Sequence, residues 1–134
     1  MKGFLTTILM SVVVLLAIFS CATVPKEPLG PGELRLLGMD VPENGNLKVG
    51  ILYRVTITFE ADGKPEIRRV CFTWSGDAPR CVRVKNVAYG SDASIDVPLS
   101  ALPDTNRLEC YVEYVRDGKV RRTNTVFSYV TGMM

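Results

Sequence analysis

Four cysteines, Cys21, Cys71, Cys81 and Cys110, are the side chains here with the most chemistry to offer, and there is no histidine to serve them. Without histidine, neither a Ser–His–Asp nor a Cys–His catalytic unit can be assembled, and no metal site can draw on imidazole. The cysteine spacings are not of the CxxC kind, and no base is evident that would activate a nucleophilic thiol. The 14 acidic residues include no pair on adjacent, apolar-flanked positions, the setting that raises a carboxyl pKa for acid–base work. Asp92, Asp96 and Asp104 lack the alternating Asp-x-Asp spacing of a calcium loop. Gly30-Pro31-Gly32 and Asn44-Gly45 read as tether or turn, because no helix follows to complete a phosphate-binding loop. The sequence therefore assigns no catalytic residue, no metal ligand and no cofactor.

The surroundings of Cys21 give it a different role. Met1-Lys2-Gly3 is a short basic start. An apolar run over 4–19 follows, interrupted by Thr6, Thr7 and Ser11, and leads into Ile18-Phe19-Ser20-Cys21. Basic, apolar, small residue, cleavage is the order of a secretory signal. The run is shorter than the ~20 residues a bilayer needs. The alternatives are an uncleaved membrane span and a plain cleaved signal that leaves Cys21 an ordinary thiol. Ile18-Phe19-Ser20-Cys21 resembles the lipobox of bacterial lipoproteins. Ile18 is the aliphatic residue three before the cysteine and Ser20 the small residue just before it, while Phe19 stands where a small residue is usual. The resemblance implies cleavage before Cys21, thioether-linked diacylglycerol on it and an acylated new N-terminus. Each buried methylene contributes about 0.8 kcal/mol, and several chains hold firmly where one is marginal.

On this reading 1–20 is a signal peptide, 21–32 a lipidated, Pro/Gly-rich tether, and 33–134 the folded domain. Pro25, Pro28 and Pro31 favour extended chain at about 3.1 Å per residue. The compartment is the bacterial cell envelope, with membrane contact through the lipid on Cys21. Ala22 is not the aspartate that resembles an inner-membrane retention signal, so the outer membrane, facing the periplasm, is expected. Removing the leader leaves 114 of 134 residues (134 − 20), one domain's worth. It also takes Lys2, so 15 basic residues face 14 acidic ones. A domain this close to neutral gives no electrostatic case for nucleic acid.

From residue 33 onward short alternating runs are punctuated by turn residues, and no amphipathic helix stands out. Strands are expected at 34–39, 51–60, 67–74, 81–87, around Ile95, Val97 and Leu99, around Leu108, Cys110, Val112 and Tyr114, and at 119–130. Tyr53, Val55, Ile57 and Phe59 share one face, as do Val70, Phe72 and Trp74. Asp117-Gly118 is a hairpin turn. About seven strands at this spacing predict an all-β sandwich, with a small β-barrel as the structural alternative. The order, with Leu99-Ser100-Ala101-Leu102-Pro103-Asp104-Thr105 before Leu108-Glu109-Cys110-Tyr111-Val112, resembles immunoglobulin-like and fibronectin type III domains. Leu108 stands near the place of the fibronectin tyrosine that bonds back to this link.

Strand parity also sorts the other cysteines. Cys71 is out of phase with Val70 and Phe72, and Cys81 is out of phase with Val82 and Val84, so both face outward across a short turn. Opposed Cβ atoms on adjacent strands lie close enough to bridge. Cys110 shares a face with Leu108 and Val112 and is expected to be a buried thiol. A bond using Cys110, or no bond at all, are the alternatives. Arg69, Arg83 and Lys85 share the outward face, and Glu109, Tyr111 and Glu113 face outward on the neighbouring strand. The bland reading is a solvated face with weak ion pairs; the sharper one is a binding face anchored by Tyr111. Trp74 belongs in the core. The expected function is a non-enzymatic binding or assembly module that meets an envelope protein. The rival is a small envelope hydrolase or carbohydrate-active protein, which would need a cleft with convergent carboxylates.

Overall fold

Period-two alternation decides the architecture of the computed structural model, which describes residues 27–134. Along β3 (Leu52–Ala61) the buried residues are Val55, Ile57 and Phe59; along β7 (Ser94–Ser100) they are Ile95, Val97 and Leu99. These strands lie side by side, with Val55 opposite Val97 and Ile57 opposite Ile95, and so present one continuous apolar face. β4 (Ile67–Trp74) and β8 (Asp104–Arg116) present the matching face with Val70, Phe72, Trp74, Leu108, Cys110, Val112 and Tyr114, all buried. Neither face is stable against water, and stacking them removes both from it.

The protein is an all-β sandwich. One sheet has the order β1-β3-β7-β6, where β1 is Leu34–Asp40 and β6 is Val87–Ala88. The other runs β2-β10-β8-β4-β5, where β2 is Asn46–Lys48, β5 is Arg80–Arg83 and β10 is Val126–Met133. β9 (Lys119–Arg122) pairs with the far half of β8. All pairings are antiparallel except that of β2 with β10.

The described residues thus hold ten strands, not about seven, and each extra one arises where the chain changes sheet or bends. After β1 the turn Pro42–Gly45 carries Glu43, Asn44 and Gly45 at positive φ and passes the chain to the opposite sheet as β2. The run expected at 81–87 ends at Arg83; 84–86 is a link, and Val87–Ala88 joins the first sheet as β6. The return strand expected at 119–130 is split at 123–125. There the Thr123 hydroxyl accepts from the Val112 amide, standing in for a ladder carbonyl. Asn124 turns the other way. Its Oδ1 accepts from the Leu36 amide at 2.8 Å and its Nδ2 donates to the Leu36 carbonyl at 2.9 Å, beside the register shift in β1. One side-chain amide therefore pins the open edge of β1 to the opposite sheet, the edge that would otherwise invite another chain.

Part of the expected tether is docked on the domain. The Gly32 amide donates to Asp62, the Gly30 amide to Glu33, and Arg116 Nε to the Pro31 carbonyl at 2.9 Å. Arg35 donates to the Glu27 carbonyl. The expected signal peptide, the lipobox and Cys21 lie outside the described residues. Among the described residues no helix is long and apolar enough to cross a membrane.

Candidate functional site

The outward face of the second sheet gathers most of the polar residues singled out from the sequence. β4 and β8 run antiparallel with Arg69 opposite Glu113, Cys71 opposite Tyr111 and Thr73 opposite Glu109. On its other side β4 meets β5, with Arg69 opposite Arg83 and Cys71 opposite Cys81. Arg69, Arg83, Tyr111, Glu109 and Glu113 therefore share one face. Lys85 does not: it lies in the link after β5, because the strand stops at Arg83.

Cys71 and Cys81 form a disulfide, with their Cα atoms 4.0 Å apart. Their directly opposed register is what parity required. Cys71 is nonetheless fully buried, since it sits between strands carrying Cys81 and Tyr111. Cys110 is a free, buried thiol on the core side, and burial pushes its pKa up to about 12. It is held neutral and acts as a small apolar residue.

Among the described residues, Glu113 is the one charged side chain that is buried. Arg69 grips it from β4 with Nε 2.6 Å from one carboxylate oxygen and a second nitrogen 3.3 Å from the other. Arg122 stands 4.0 Å away on β9. The hydrogen bond from Arg69 holds the Glu113 carboxyl below the usual glutamate range, overcoming the upward push of burial, and the two guanidinium charges add to this. A carboxyl whose pKa is lower folded than unfolded stabilises the fold above its unfolded value, about 4.3. That stability is lost as pH falls through the lower, folded value. Urea midpoints of the native protein should therefore fall with acid more steeply below about pH 4.3 than those of Glu113→Gln. Parallel pH profiles would show that this pair contributes nothing. The Sγ atoms of Cys71 and Cys81 and a Glu113 oxygen lie within 4.8 Å of one another. The sulfurs are bonded to each other and so carry no thiolate charge.

Tyr111 is half-buried, with the Arg122 guanidinium 4.8 Å above its ring. The exposed aromatic residues lie one strand further, where Glu109 faces Phe127 and Arg107 faces Tyr129. Phe127 is 52% and Tyr129 61% exposed, which makes them the most solvent-accessible rings of the sheet face. Their rings meet edge to face at 6.0 Å. Arg107 stacks 4.1 Å over Phe127 while its Nε reaches Glu109 at 3.1 Å. Reading 119–130 only as a return strand misses this pair. The signal was present: Val126, Ser128 and Val130 alternate with Phe127 and Tyr129, and the first set faces the core.

No protein-family model matches the chain, and no curated protein matches it.

Proposed function

We propose that this chain is a lipid-anchored bacterial envelope lipoprotein whose immunoglobulin-like sandwich is a non-enzymatic docking module for an envelope protein. The strand order supports the immunoglobulin-like reading. β1-β3-β7-β6 corresponds to an A-B-E-D sheet, and β10-β8-β4-β5 to G-F-C with one added strand. The observation that carries the docking role is the exposed pair Phe127 and Tyr129. Two large rings on a soluble face, braced by a stacked arginine, are what interface centres are enriched in. Bracing by Arg107 and by each other leaves those side chains little rotamer freedom to lose on binding. The residues expected from sequence surround them: Glu109 holds Arg107, and Tyr111, Arg69, Arg83 and Glu113 continue the face.

The test is recovery of the partner from detergent-solubilised membranes with the native chain and with Phe127→Ala/Tyr129→Ala. Each anchor lost should weaken association roughly 30-fold, the effect of a 2 kcal/mol hot spot. Tyr111→Ala/Arg83→Ala should weaken it less, because Tyr111 is already covered by Arg122. Undiminished association in the Phe127/Tyr129 variant would return this face to a solvated sheet surface. A turnover abolished by changing one carboxylate would favour the hydrolase instead.

A further inference from the structure

Chain entry and the β8–β9 hairpin share one end of the sandwich. Arg116, at the end of β8, bonds the Pro31 carbonyl and lies against Gly30 and Gly32. Asp62, just past β3, holds the Gly32 amide. Glu27, whose carbonyl accepts from Arg35, is six residues after Cys21. Six residues of extended chain reach at most roughly 20 Å. A lipid on Cys21 would therefore bring this end nearest the membrane, while Phe127 and Tyr129 pair with Glu109 and Arg107 toward the other end of β8.

The chemistry of that end suits an anionic surface. The stretch from Arg116 to Arg122 carries four basic residues and one acid, Asp117. All of β9 is exposed, including Val120 at 52%. Lys119 and Arg121 make no ion pair among the described residues. An open cleft of about 450 Å³ flanks β9, and its wall holds Arg35, Arg116, Arg121 and Arg122 against Glu33 as its one acid. Of the acids at this end, Glu33 and Asp62 are engaged with tether amides and Glu60 with Arg35, while Glu66 and Asp117 make no ion pair among the described residues. Arginine's planar fork matches phosphate.

We infer that the β8–β9 hairpin is a membrane-contact ridge that lies on anionic lipid headgroups beside the anchor; this rests on Cys21 being lipidated. The lipid chains give attachment, and the ridge fixes which way the sandwich stands. The outward face with Phe127 and Tyr129 is then free for its partner.

The experiment takes the mature protein extracted from membranes and reconstitutes it in phosphatidylcholine vesicles with and without phosphatidylglycerol. Hydrogen exchange of 116–122 is read in both. Each basic residue near an anionic surface is favoured about fivefold, so Lys119 and Arg121 together should slow exchange roughly 25-fold with phosphatidylglycerol. Lys119→Glu/Arg121→Glu should abolish that difference while exchange in β4 and β7 stays native. Equal exchange in the two vesicles, with Cys21 shown acylated by mass in the same sample, would overturn the ridge alone. An unmodified Cys21 would overturn the anchor and this arrangement with it.

Discussion

Gly132→Ala is expected to destabilise the fold by at least about 3 kcal/mol, at or beyond the upper end of ordinary overpacking. A Cβ there would overlap the Leu102 carbonyl oxygen and stand 2.7 Å from its carbon. Both are backbone atoms of the link that carries the chain from β7 in one sheet to β8 in the other. Gly132 is paired with Asp104 on one side and Leu47 on the other, so β10 cannot retreat without breaking a ladder. Gly38→Ala is the matched control. It too lies in a strand, but its new Cβ would meet only the Thr58 hydroxyl, at 3.7 Å. That change should stay within about 1 kcal/mol. Urea midpoints of the two variants check this, and equal midpoints would mean that the link does not press on Gly132.

Cys21→Ser should abolish maturation altogether. A hydroxyl cannot form the thioether, and without it a lipobox-type signal is not cut. Immunoblots of membrane fractions should show only a longer precursor retaining 1–20. Mature-length protein from this variant would mean that Cys21 is an ordinary residue after an ordinary signal.

Much of the fold was legible because sandwich strands obey a period of two. Val55, Ile57 and Phe59 face the core as read, as do Val70, Phe72, Trp74 and Cys110. The same parity set Cys71 against Cys81. What escaped was wherever tertiary context interrupts the period. β2 and β6 span only three and two residues, too few to show alternation. Lys85 was carried onto the sheet face by extending a run that in fact leaves the sheet after Arg83. The break between β9 and β10 depends on Asn124 reaching Leu36, a bond across 88 residues that no local pattern contains. Of the candidate site, the charged members were visible as outward-phase residues on central strands. The burial of Glu113 was not, because it follows from neighbours on β4 and β9. The close approach at Gly132 had a local sign, since a glycine inside a strand often marks another backbone lying against it.

If lipid on Cys21 holds this sandwich to a membrane, the mass of the N-terminal peptide from membrane-extracted protein should show it. That peptide should begin at Cys21 and carry a thioether-linked diacylglycerol with a further acyl chain on its amine. A peptide beginning at Met1, or an unmodified Cys21, would contradict it.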